Sequence, residues 1–290
     1  MASGEQTRAA IAAQPEWLRA VPRGRRLPDA RVVYTGCGTS FHAAQTGGFA
    51  VQALELVVGR PPPDADVLVV VSHEGDTALS LEAARAFRGE RWLVTGKADS
   101  PLGELCEEVV VATPEIERSW CHTASYTCAV AALAALRGED VSWLGDAVAE
   151  VLAGPRLAVP EQERIMIVGA GRDWPTAQEA VLKLREGTHV AAAAHHTEQL
   201  LHGHLAAVDQ RVRAYVLEGE GRAAERARAA VRALGILGCE TTLVPTRHPA
   251  VDIVPFQLLT VDLAAARGVD PDRIRRDDER WARAAAATRD

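Results

Sequence analysis

Short runs of apolar, β-branched residues alternate with amphipathic stretches along most of this chain. An opening segment of helical pattern, Thr7–Ala20, gives way to a breaker-rich stretch from Pro22 to Pro28. The run Val32–Val33–Tyr34 then ends in Thr35–Gly36–Cys37–Gly38–Thr39–Ser40 and enters an apolar helix reaching Ala50. Strand, Gly/Ser turn and helix make one βα unit. A second unit starts at Val67–Val71, turns through Ser72–His73–Glu74–Gly75–Asp76–Thr77 and continues as a helix over Ala78–Phe87. Arg91–Val94 and Val109–Ala112 read as further strands, and Ser125–Leu136 as a long Ala-rich helix. Strands separated by helices predict an α/β fold with a doubly wound parallel sheet.

The pattern restarts at Arg164–Gly169 and continues with strand Val212–Leu217, helix Arg222–Leu234, strand Thr241–Val244 and helix Pro255–Arg267. The chain therefore reads as an internal duplication, two tandem α/β domains over 29–150 and 160–267. A lead-in helix and linker occupy 1–28, a charged tail 268–290, and the join lies in Leu152–Gln162, which holds Gly154, Pro155 and Pro160.

Composition narrows the class. With 290 residues, 48% of them hydrophobic, the chain can bury a sizeable core. A net charge of −7 with interspersed signs argues against nucleic acid or a membrane surface as partner. Five cysteines without Cys-x-x-Cys spacing indicate neither a disulfide framework nor a zinc knuckle and suit a reducing cytoplasm. No signal pattern opens the chain and no apolar run of membrane-span length is expected, so a soluble intracellular protein is anticipated.

Candidate chemistry concentrates in Glu179–Gly187, a helix opened by Pro175, N-capped by Asp173 and closed by Gly187. Lys183 and Glu186 are neighbours on one face, with Glu179 a turn earlier. The negative end of the helix macrodipole disfavours a carboxylate at Glu186, which suits a general base. An ordinary solvated ion pair has the same spacing. Only Lys97 and Lys183 among 32 basic residues are not arginine, a hint that a deprotonatable amine is wanted at 183. The turns Gly36–Ser40 and Ser72–Thr77 present backbone N–H groups at helix N-termini and suit an anion, although plain loop geometry would look alike. Neither completes a dinucleotide fingerprint or a Walker loop. His195, His196 and His204 lack a carboxylate or cysteine at ligand spacing and read as loop residues, with no metal expected.

Gly36–Cys37–Gly38–Thr39–Ser40, Ser72…Gly75…Thr77, Lys183–Leu184–x–Glu186 and His202–Gly203, in this order over two α/β halves, resemble the sugar isomerase (SIS) family. More narrowly they resemble the isomerase half of glucosamine-6-phosphate synthase and its deglycase relatives, from about Ile11 to Arg267. The resemblance implies tandem flavodoxin-like SIS domains, with Glu186 as proton shuttle between C1 and C2, Lys183 beside it, and His202 opening the sugar ring from the partner subunit of a homodimer. It also implies Gly38, Thr39, Ser40, Ser72 and Thr77 as substrate-holding residues, Thr39 in the second line. A proton-shuttling carboxylate and a separate imidazole are what carbonyl migration and ring opening require.

The sequence departs from that pattern. No glutamine-hydrolysing domain precedes residue 31, so no ammonia from glutamine is expected. Glu74, with His73 before it, stands where the phosphate turn has its second serine. Trp120, His122 and Ala124 replace Val, Ser and Lys in the segment Glu117–Thr127, and the tail lysine has no counterpart. A carboxylate about 4 Å from a phosphate dianion costs roughly 4 kcal/mol per charge pair at an effective dielectric near 20. Glu74 then points away, is protonated, or meets a ligand end that is neutral or cationic; the last is favoured, with Trp120 as an apolar or cation-binding wall. The reading is an isomerase or deglycase acting on an amino-linked sugar or sugar-like compound, without metal or nucleotide cofactor. The alternative is a non-catalytic SIS protein that binds such a ligand as sensor or regulator; a nucleotide-binding Rossmann enzyme is disfavoured by the glycine spacing.

Overall fold

The structure, a computed structural model, describes residues 3–59 and 64–288. The extreme ends of the lead-in and tail, and residues 60–63 inside the first α/β half, lie outside the described residues. The strands are β1 (Val32–Thr35), β2 (Val67–Val71), β3 (Glu90–Thr95), β4 (Glu108–Val111), β5 (Arg164–Gly169), β6 (Ala191–His196), β7 (Val212–Leu217) and β8 (Glu240–Val244). The helices of the first half are α1 (Glu5–Ala20), α2 (Thr39–Gly47), α3 (Ala53–Val57), α4 (Ala78–Ala86), α5 (Pro101–Leu105), α6 (Ala124–Leu136) and α7 (Leu144–Ala153). Those of the second are α8 (Trp174–Thr188), α9 (Thr197–Leu201), α10 (Arg222–Ile236), α11 (Pro249–Asp252), α12 (Val254–Arg267) and α13 (Glu279–Ala286).

Two four-stranded parallel sheets result, in the orders β1-β2-β3-β4 and β6-β5-β7-β8. The predicted helix to Ala50 ends at Gly47, because Ala50 is drawn into a parallel bridge with Tyr34. Tyr34 N–H donates to the Phe49 carbonyl and Val51 N–H to the Tyr34 carbonyl, so this segment flanks β1 as β6 flanks β5. Strand order therefore reverses at β1 in one sheet and at β5 in the other.

Burial explains the layering. Alternate residues of the first sheet, Val33, Leu68, Val70 and Leu93, pack on the outer helices α4 and α5 with Ala84 and Leu102. Met166, Val168, Ala214 and Val216 of the second pack outward on α10 through Ala227, Ala230 and Leu234. The inward faces, including Tyr34, Val69, Ile167 and Tyr215, share one core with α6, α8 and α12. All thirteen residues of α6 are buried, as expected of a helix that is apolar on every side. The two halves are thus fused through a common core.

Several local expectations change. Asp173 stands before α8 but its side chain caps nothing there; it accepts a hydrogen bond from Thr246 Oγ1 at 3.2 Å. Gly187 is inside α8, where an added Cβ would lie 2.4 Å from Thr260 Cγ2, and the left-handed terminator is His189 at φ 61°. His195 and His196 end a strand rather than sit in a loop. An apolar stretch of membrane-span length does exist, Pro249–Arg267, and 78% of its most apolar 18 residues is buried inside the fold.

Candidate active site

Gly36 and Gly38 shape the turn after β1. A Cβ on Gly36 would lie 2.7 Å from the Ser40 backbone, and Gly38 has φ 57°, a region that favours glycine. The helix N-terminus that follows therefore approaches the sheet edge closely. Together with the turn after β2 it borders a cavity of about 1030 Å³ at the point of strand reversal, where doubly wound sheets bind ligands.

Ten of the twelve candidate residues line this cavity: Gly38, Thr39, Ser40, Ser72, His73, Glu74, Thr77, Trp120, His122 and Glu186. Ser72 and Thr77 hydroxyls are 3.4 Å apart. Glu74 borders the cavity yet is solvent-exposed. Lys183 lies behind the wall, fully buried, and His202 is elsewhere: its side chain is 74% exposed and pairs with Glu198 at 3.2 Å. Within one chain the structure does not bring His202 to Glu186.

The acid and amine do not form a solvated pair. Lys183 Nζ donates to Glu186 Oε2 at 2.6 Å and to Thr39 Oγ1 at 3.1 Å, and lies 3.4 Å from Glu179, itself fully buried. Thr39 Oγ1 donates to Glu179 Oε1 at 3.1 Å. Burial pushes the Lys183 ammonium toward neutrality, but the flanking Glu186 and Glu179 carboxylates outweigh it and hold its pKa well above the usual lysine value. The expectation of a deprotonatable amine is overturned: Lys183 is a fixed cation that orients Glu186. Among the described residues the second Glu186 oxygen takes no hydrogen bond, which leaves it open to a ligand proton.

Beside His73, the site draws on Glu117, Arg276 and His42, for which the sequence suggests no role. Glu117, buried, accepts from the backbone N–H groups of Thr123 at 2.7 Å and Ser125 at 2.8 Å and from Thr123 Oγ1 at 2.8 Å. Burial opposes its charge, but His122 and the Ser125 donors hold it at about 2. His73 Nε2 accepts from Glu117 N–H at 3.0 Å; burial, helped by the neighbouring His122 and opposed by Glu117, lowers His73 to about 4, so it is a neutral acceptor. Arg276 of the tail lies 3.5 Å over the Trp120 ring and borders the cavity. No sequence signal places it there, because it depends on Asp272 being tied to α1 by Thr7 N–H at 2.7 Å and Thr7 Oγ1 at 2.6 Å. His42, whose Nδ1 is 2.8 Å from Glu179 Oε2, joins across 137 residues of chain. Burial pushes the Cys121 thiol up to about 12, away from thiolate chemistry. Among the described residues no group of three His, Cys, Asp or Glu side chains is arranged to hold a metal.

The chain resembles sugar isomerase (SIS) domains in fold, and its sequence is similar to the isomerase half of glucosamine-6-phosphate synthase. It is 27% identical to glutamine–fructose-6-phosphate aminotransferase (isomerizing) of Gloeobacter violaceus, over 84% of this chain and 50% of that protein. To the enzyme of the same name from Aeropyrum pernix it is 29% identical, over 91% of this chain and 53% of that one. The chain thus spans about half the length of the curated relatives it matches. Among solved structures, the C-terminal domain of glucosamine-fructose-6-phosphate aminotransferase from Francisella tularensis superposes with TM-score 0.78 at 18% identity, covering 93% of this chain and 98% of that one. Tagatose-6-phosphate ketose/aldose isomerase from Escherichia coli gives 0.76 at 18% identity, covering 93% and 95%. No family model matches the chain.

Proposed function

We propose that the protein is an aldose–ketose isomerase or deglycase acting on an amino-linked sugar or sugar-like compound. The observation that carries this is the Glu186 carboxylate on the cavity wall, fixed by a buried ammonium at 2.6 Å, in the cavity that the Gly38 and Ser72–Thr77 turns also border. Glu186 removes the proton beside the carbonyl or imine carbon and returns it to the neighbouring carbon through a planar enediol or enolamine. Ser40, Ser72 and Thr77 hold the ligand, and Thr39 secures Lys183. The two sheet-bearing halves, 29–150 and 160–267, are tandem flavodoxin-like SIS domains. A homodimer in a reducing cytoplasm would let His202 of one copy reach the other's site for ring opening. The exposed Glu74, with Asp76 and Glu82 on the same cavity, supports a ligand whose far end is neutral or cationic rather than a phosphate dianion.

The reading of a non-catalytic SIS ligand-binding protein is favoured by one observation, the remoteness of His202 within the chain. A thermal-shift screen of fructose 6-phosphate, glucosamine 6-phosphate, free glucosamine and glycosylated amines finds the ligand class by mass action. Turnover of the stabilising compound, abolished in Glu186→Gln with folding and binding intact, supports the enzyme. Full activity in Glu186→Gln removes the assigned shuttle, and binding without turnover leaves the sensor.

A further inference from the structure

Behind the reaction cavity the polar contacts do not stop at Lys183. They run from Glu186 through Lys183 to Glu179 and end on His42, whose side chain is 15% exposed and lines a second cavity of about 580 Å³. Glu179 and Lys183 are fully buried. Two carboxylates and one ammonium leave a net negative charge in this row, and desolvated charge of that kind is costly unless it is balanced. An imidazolium at His42 would bring the row to neutrality. Among the described residues Glu179 of α8 contacts His42, and Arg185 of α8 and Cys37 line the same second cavity.

The distances show a division of labour. His42 and Thr39 engage the two Glu179 oxygens at 2.8 and 3.1 Å, and Lys183 sits nearer Glu186, at 2.6 Å, than Glu179, at 3.4 Å. We infer that His42 is a positioning residue of the shuttle: by occupying Glu179 it leaves Lys183 directed at Glu186. The inference rests on the proposed reading of Glu186 as the shuttle, but the coupling between the two ends is tested without any substrate.

By reciprocity, a charge change at Glu186 is felt at His42. The test is a pH titration of the ¹⁵N-histidine-labelled protein by NMR, with the His42 ring signals assigned by their loss in His42→Gln. Glu186→Gln removes a negative charge and releases Lys183 toward Glu179; both effects disfavour the imidazolium. The His42 titration midpoint is expected to fall by at least about 0.5 pH unit. Glu186→Ala gives the same direction and serves if the glutamine variant fails to fold. A smaller displacement, or one in the opposite direction, in a folded variant overturns the inference. A displaced midpoint in a protein that turns over no sugar would sink the isomerase reading and leave the coupling standing.

Discussion

Asp252 is one buried group through which the stability of this fold depends on pH. It accepts Arg247 N–H at 2.8 Å, and its other oxygen has no hydrogen-bond partner among the described residues. Burial, reinforced by Asp173 and opposed by backbone donors, pushes it up to about 7. Because the folded form holds the proton more tightly, its contribution is fully present below the unfolded value of 3.8 and is lost as pH rises through about 7. The full loss is about 4 kcal/mol, so Asp252→Asn should gain more in Tm over native at pH 8 than at pH 5. A gain that does not vary with pH would refute the assignment. His73 and His248, each lowered to about 4 chiefly by burial, act oppositely: their contribution is present above 6.5 and lost as pH falls toward 4. At the cavity, Glu74→Ser should tighten binding of fructose 6-phosphate and glucosamine 6-phosphate by at least tenfold, about 1.4 kcal/mol. Micromolar binding to the native protein, unchanged in the variant by calorimetric titration, would mean that an ordinary phosphosugar site survives.

Among elements, α6 illustrates what hydrophobic pattern reveals and what it hides. Its apolar, Ala-rich run marks a helix buried all round, whereas its cap, Glu117, lies seven residues upstream and reaches the first turn only through a folded loop. Removing that carboxylate strands buried N–H groups, so Glu117→Ala should destabilise by about 2–4 kcal/mol in urea unfolding. Glu117→Gln should cost less, since it keeps an acceptor oxygen. Equal losses in the two variants would assign the effect to packing. Strand β6 was illegible for another reason. Four alanines and two histidines carry no strand propensity, and the segment is extended because β5 pairs with it from Arg164–Ala191 to Gly169–His196.

At the scale of the whole molecule, the cavity joins residues of both halves, Ser72 and Trp120 from one and Glu186 from the other, with Arg276 from the tail. Lys183 stands behind its wall, and the candidate that lies elsewhere altogether is His202. If a second copy supplies it, mixing Glu186→Gln with His202→Asn and reassembling the chains should restore activity to about a quarter of native, since half of the dimers then carry one intact site. Mixtures no more active than their parents would place ring opening on some other residue.

Seven of the eight strands, the Gly38 and Ser72–Thr77 turns, and the Lys183–Glu186 pair were readable from the chain because each depends on local periodicity or on spacing along one helix. Charge state, partners and enclosure were not. The raised pKa of Lys183 arises from Glu179 and Glu186 lying beside it, with Lys183 and Glu179 shut from water where the two halves share a core. The reach of Arg276 arises from a tail tied back to α1, and the junction of His42 with Glu179 from α2 packing on α8. Such contacts join residues far apart in the chain, where electrostatics and burial act through space and leave no mark on sequence pattern.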